Sequence, residues 1–124
     1  MVRLMKCKTC GSIVEVILPG EVDKCCNEER EELTPNTMDA ALEKHVPDVA
    51  IDGNTVTVTI GSVEHPMIPE HHITNIWLET TVGVQRTTLD PVGKPQAVFV
   101  LPDGVAPITA YEYCNLHGFW KKDI

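Results

Sequence analysis

Residues 49–61 read VAIDGNTVTVTIG, and this stretch decides the fold class. Asp52-Gly53-Asn54 is turn chemistry, and beyond it Val56, Val58 and Ile60 alternate with threonines. A period of two puts the aliphatic side chains on one face and the threonines on the other, the mark of a half-buried strand. Outward from there, ITNIWLETTVGVQRTTL (73–89) predicts a hairpin about Gly83. QAVFVLPDG (96–104) and ITAYEYC (108–114) supply two more strands, with Pro102-Asp103-Gly104 between them. Short strands between turn signals, with almost no helical periodicity, predict an antiparallel β-sandwich of immunoglobulin-like type. TMDAALEKH (37–45) allows one helical turn capped by Thr37, with Pro47 limiting its extension.

Upstream of residue 36 the composition changes. Residues 1–33 hold four cysteines, a short apolar alternation (Ile13, Val14, Val16, Ile17) and a Pro19-Gly20 turn. NEEREELTPN (27–36) is charged, then turn-forming, and reads as a linker. The expected division is a small domain over 1–36 and a sandwich over 37–124. So few apolar side chains cannot hold the first domain by burial alone, so it needs a metal or disulfide staple.

The 124 residues carry a net charge of −8, which argues against nucleic-acid or anionic-membrane partners. The start MVRLMKCKTC has no apolar core of a signal peptide, and no run approaches the ~18 apolar residues of a membrane span. The expectation is a soluble, cytoplasmic protein. Five cysteines cannot close a complete set of disulfides, and clustered cysteines in a reducing compartment more often hold metal.

CKTC (Cys7, Cys10) is followed fifteen residues later by the adjacent pair Cys25-Cys26. C-x2-C lets two sulfurs converge on one ion, while an adjacent pair forces a distorted second corner. Four sulfurs suit zinc or iron equally, as a structural staple or a redox centre. A Cys25–Cys26 disulfide is a third option.

All five histidines lie in the other domain, in EKHVP (His45), EHPM (His65), EHHI (His71, His72) and YCNLHG (His117, beside Cys114). Each segment sits at a strand end or loop, where sandwich loops can converge at one rim. Taken singly, each histidine also reads as a solvated group, and Cys114 as an inert buried thiol. In an extended stretch His71 and His72 face opposite ways, so one of the two is no ligand. Several imidazoles with one thiolate favour iron or copper. Four imidazoles in a plane with an axial thiolate would leave one position open, toward which the thiolate donates electron density.

The order and spacing of C-x2-C, CC, EKHVP, GSVEHPM with a histidine six residues after the first, and YCNLHG resemble the desulfoferrodoxins. These are superoxide reductases with a desulforedoxin-like N-terminal domain. The resemblance implies two irons, one held by Cys7, Cys10, Cys25 and Cys26. The other would be catalytic, with His45, His65, His71 and His117 equatorial and Cys114 axial. The six-residue spacing from His65 selects His71 and leaves His72 a non-ligand. It further implies reduction of superoxide to hydrogen peroxide without dioxygen release, a rubredoxin-like electron donor, and a homodimer. Lys44 is similar to a lysine that attracts superoxide and aids proton delivery; Glu43 resembles a glutamate that can occupy the open position. Both also read as an ordinary solvated charge pair. Asn27-Glu28-Glu29 departs from the Gly-Glu-Pro usual after the second pair, and Asn27 would have to tolerate a left-handed turn. His72 stands where the family commonly has an aromatic residue, and Ile68-Pro69 replaces a more charged segment. Two other classes compete: a cupredoxin-like electron carrier, which normally wants a weak axial methionine after the last histidine, and a zinc-stapled immunoglobulin-like binding module.

Overall fold

The computed structural model describes residues 1–20 and 24–124, which divide into two compact units, Met1–Thr34 and Pro35–Ile124. In the first, β1 (Leu4–Lys6) pairs antiparallel with β2 (Ile13–Glu15) and β5 (Glu31–Glu32), and β3 (Lys24–Cys25) pairs with β4 (Glu28–Glu29). Among its described residues the buried apolar ones are Val2, Leu4 and Cys7. Residues 27–34 of the stretch read as a linker are therefore part of the first unit, since β4 and β5 lie inside it, and Pro35 and Asn36 begin the second. Side-chain links hold these acidic strands: Arg3 to Glu32 at 2.5 Å and Lys8 to Glu31 at 2.8 Å. Thr9 Oγ1 also donates to Glu28 at 3.1 Å. Charge runs read as solvated linkers because their side chains seek water, yet a strand on a sheet edge satisfies water and backbone pairing together.

The second unit begins with a single helical turn, α1 (Leu42–His45), and then the strands β6 (Pro47–Asp52), β7 (Thr55–Ile60), β8 (Ile73–Thr80), β9 (Gly83–Thr88), β10 (Gln96–Val100), β11 (Pro107–Cys114) and β12 (Gly118–Asp123). They form two antiparallel sheets, ordered β10-β7-β6 and β12-β11-β8-β9. β7 buries Val56, Val58 and Ile60 and leaves its threonines half-exposed, as the alternation predicts. These pack with Ala97 and Phe99 of their own sheet and with Ile76, Leu78 and Ala110 of the other, making one core between two layers. That is the predicted sandwich.

Two readings need correction. Thr37 does not cap a helix: α1 starts at Leu42, its N-cap residue is Ala41, and no side chain caps it. One turn is too short to need a cap when tertiary contacts hold it. GFWKKD, given no strand, is β12, paired with β11 from Cys114↔Gly118 to Thr109↔Asp123. Phe119 and Trp120 are both buried, which hides the period of two. Among the described residues no helix is long and apolar enough to cross a membrane.

The register fixes where loops gather. Pro47 opposes Ile60, so the start of β6 meets the end of β7. Cys114 opposes both Ile73 and Gly118, bringing the end of β11 to the start of β8 and of β12. The segments carrying His45, His65, His71 and His117 all enter or leave these strand ends.

Candidate metal centres

In the first unit the CKTC turn closes with Gly11 N–H donating to the Cys7 carbonyl and Cys7 N–H to that of Ser12, both at 2.9 Å. Gly11 sits at φ +76°, where a side chain would strain the backbone. The second pair is turned by Cys26 at φ +53° and Asn27 at φ +62°. Asn27 thus takes up the left-handed turn expected of it. The sulfurs of Cys10 and Cys25 are 3.5 Å apart and those of Cys25 and Cys26 3.8 Å. Sulfurs at two corners of a tetrahedron with metal–sulfur bonds of about 2.3 Å stand about 3.8 Å apart. A disulfide would need about 2.05 Å, and all five cysteines are free thiols. The Cys10 amide, donating to it, lowers Cys7 to about 7, whereas sharing protons with Cys10 and Cys7 pushes Cys25 up to about 12. Four thiolates cannot crowd together without a cation, so this donor set fits a metal ion.

In the second unit His45, His65, His71, Cys114 and His117 bring five donor atoms within 4.8 Å of one another. The imidazoles form a closed ring of edge-to-face contacts: His45–His65 at 4.8 Å, His65–His71 at 4.6 Å, His71–His117 at 5.0 Å and His117–His45 at 4.8 Å between centroids. Such a ring is a square of four. A backbone carbonyl can only accept, so His45 Nδ1–H donates to Ala41 O and His65 Nδ1–H to Pro66 O, each at 2.7 Å. Both residues are thereby left with a bare Nε2 toward the centre. His45 Nε2 lies 3.1 Å from His117 Nδ1. Neighbouring corners of a square with bonds of about 2.1 Å would be about 3.0 Å apart. Nε2 of His71 is buried and has no hydrogen-bond partner. An orphaned ring nitrogen facing three others is what a metal would satisfy.

Cys114 lies on the core side of the square, fully buried, its Sγ 3.5 Å from His65 Nε2. His117 N–H points at this sulfur from 3.4 Å. Burial pushes the Cys114 thiol up, partly opposed by the His117 and Leu116 amides, so its thiolate form depends on a neighbouring cation. Burial also lowers His45 and His71, and brings His65 to about 4, which favours the neutral imidazole that a metal requires. His71 and His117 are only half-buried, whereas His45, His65 and Cys114 are buried. Trp120, wholly buried, packs against the His45 ring at 5.1 Å and donates from Nε1 to the His117 carbonyl at 2.9 Å.

Residues 37–123 match the family profile described as Desulfoferrodoxin. The chain belongs to the desulfoferrodoxin family. A desulfoferrodoxin from Syntrophotalea carbinolica is 42% identical over 98% of this chain and 95% of its own length. One from Clostridium acetobutylicum is 42% identical over 94% of this chain and 92% of its own. Among solved structures, the superoxide reductase of Treponema pallidum superposes with a TM-score of 0.84 at 35% identity, covering 99% of both chains.

The other singled-out residues are placed less centrally. His72 is turned away, its ring against the Ile68 and Pro69 carbonyls at 3.2 and 3.1 Å. Glu43 and Lys44 lie exposed on α1, and the lysine's charge is one cause, after burial and His117, of the lowering of His71. Met67, the methionine closest in sequence to a ligand, accepts from Ile73 N–H at 3.3 Å through its sulfur and packs on the core. It is therefore no axial ligand of a cupredoxin kind.

Sequence reasoning missed two neighbours of the site. Glu112 is fully buried, with neither carboxylate oxygen partnered, and burial raises it well above the usual carboxylate range. Strand parity carried a signal for it, since Glu112 shares a face with the core residue Ala110. Asn115 ties the loop before β8 to the end of β11, donating from Nδ2 to Glu70 O and accepting His72 N–H, both at 2.9 Å. A lone asparagine after a cysteine carries no such signal.

Proposed function

We propose that the protein is a superoxide reductase, carrying out the one-electron reduction of superoxide to hydrogen peroxide without release of dioxygen. The observation that carries this reading is the square of His45, His65, His71 and His117 beside a buried Cys114, with His71 and His117 partly exposed. The likeness to the Treponema pallidum superoxide reductase along the whole chain supports it. Iron would be held by Nε2 of His45, His65 and His71, Nδ1 of His117 and Sγ of Cys114. Bound there, iron supplies the electron that, with two protons, turns superoxide into hydrogen peroxide.

The chain's own groups do the rest. The Ala41 and Pro66 carbonyls fix the ring orientation of His45 and His65. The His117 amide, aimed at Sγ, favours the thiolate that burial opposes. On a chain of net charge −8, Lys44 gives an approaching anion a local positive charge and assists proton delivery from its Nζ through water. Glu43 is the carboxylate available to the open side. Cys7, Cys10, Cys25 and Cys26 would hold a second iron, which would staple the small unit. The setting is cytoplasmic, the electron donor a rubredoxin-like carrier, and the assembly a homodimer. For the homodimer, exposed Ile17 and Leu18 follow the outer strand β2 of the small sheet and suit apposition of a second copy.

Anaerobic loading followed by metal analysis should give about two irons per chain, against one copper for an electron carrier or one zinc for a binding module. Cys114→Ser should abolish the thiolate-to-ferric-iron absorption and spare the bands of the four-cysteine centre. An unchanged spectrum would mean that Cys114 is not a ligand.

A further inference from the structure

Between β7 and His65 the chain turns through Gly61, Ser62, Val63 and Glu64. His65 N–H donates to the Ile60 carbonyl at 3.0 Å and Gly61 N–H to the Val63 carbonyl at 3.4 Å. The closed turn then meets the backbone of α1. Val63 N–H donates to the Glu43 carbonyl at 2.9 Å, and Ser62 Oγ–H donates to the same oxygen at 3.3 Å. Gly61 lies directly against the peptide joining Glu43 to Lys44. A Cβ at Gly61 would stand 2.5 Å from the Glu43 oxygen and 2.8 Å from the Lys44 carbonyl carbon. Both are backbone atoms and cannot swing aside as the end of a long side chain would. Only glycine lets the two segments touch.

The side chains above this contact are held by nothing comparable. Glu43 and Lys44 are exposed, and among the described residues neither side chain makes a hydrogen bond or ion pair. The place from which the Lys44 ammonium acts is therefore set by its backbone anchorage. We propose that Gly61, with the Val63 amide and the Ser62 hydroxyl, is a positioning element that seats the Glu43–Lys44 peptide and so aims Lys44 at the open side of the four-histidine centre. This rests on the reading of that centre as the site where an anionic oxygen species reacts. Gly61 touches neither metal nor substrate; it acts through Lys44.

A double-mutant cycle on the iron-loaded full chain separates this role from a general loss of structure. Rate constants for superoxide consumption would be measured against ionic strength for wild type, Gly61→Ala, Lys44→Ile and the double variant. With steering as the mechanism, Gly61→Ala should slow the encounter roughly threefold to tenfold and flatten its salt dependence. In the Lys44→Ile background it should add nothing. Ser62→Ala, which removes one bond and adds no bulk, should act in the same direction by about twofold. Independently of activity, amide exchange at Val63 should rise at least tenfold in Gly61→Ala, in loaded and metal-free protein alike, with Val56 and Val58 unchanged. Unchanged exchange at Val63, or a Gly61→Ala effect that persists in full beside Lys44→Ile, overturns the positioning role. A Lys44→Ile variant as fast as wild type overturns the role of Lys44 itself, while an exchange effect at Val63 would still show the seat to be real.

Discussion

Glu112 stands two residues before Cys114 with both carboxylate oxygens buried and unpartnered. An apolar residue of similar size would remove that desolvation cost without opening a cavity. Glu112→Leu should raise stability by about 1–3 kcal/mol, read as a later midpoint in urea unfolding followed by tryptophan fluorescence. A lower midpoint would mean that the carboxyl has a partner that offsets its burial. At this same scale, the identity of the donor atoms followed from single hydrogen bonds. The Ala41 and Pro66 carbonyls decide that His45 and His65 present Nε2, and His117 differs in presenting Nδ1 to His45. No spacing in the sequence carries that distinction, because it depends on which backbone carbonyl each ring meets.

The elements of the second unit hold the ligands by joining strand ends rather than by long regular structure. Asn115 is one such join, between the loop before β8 and the last residue of β11. Asn115→Ala removes both side-chain bonds, and should cost about 2 kcal/mol and speed amide exchange at His72. Equal stability and unchanged exchange at His72 would show the join to be dispensable. Strand alternation was readable for β7 and β10 because each has one face in the core and the other turned outward, so the period of two survives in the residue types. It was not readable for β12, where Phe119 and Trp120 are buried on successive positions. β4 and β5 were hidden for the opposite reason. Their glutamates are all exposed, and what makes them strands is pairing to β1 and β3 plus contacts to Arg3, Lys8 and Thr9. The helical turn was visible as a possibility, but its start at Leu42 depends on the Glu43 carbonyl resting on the Gly61–Val63 turn, a contact remote in sequence.

At the scale of the whole molecule, the two units depend on metal to different degrees. The sandwich has a continuous core from two sheets, whereas Met1–Thr34 buries only Val2, Leu4 and Cys7 among its described apolar residues. Stripping metal under reducing conditions should therefore abolish amide protection at Leu4 and Met5 while the β7, β8 and β11 amides stay protected. Retained protection at Leu4 would mean that the small unit needs no staple. The clustering of histidines and cysteines was legible in the sequence, since ligands must be of those types. Their closure into a square was implied by the family resemblance and not by the residue types alone, because it depends on the register by which Cys114 opposes Ile73 and Gly118. The central claim is that this square with its thiol reduces superoxide and does not dismutate it. The most direct measurement is a pulse of superoxide on anaerobically reduced, iron-loaded protein, with peroxide and dioxygen both quantified. One peroxide for each superoxide consumed and no dioxygen is the predicted result; one dioxygen for each peroxide would contradict it.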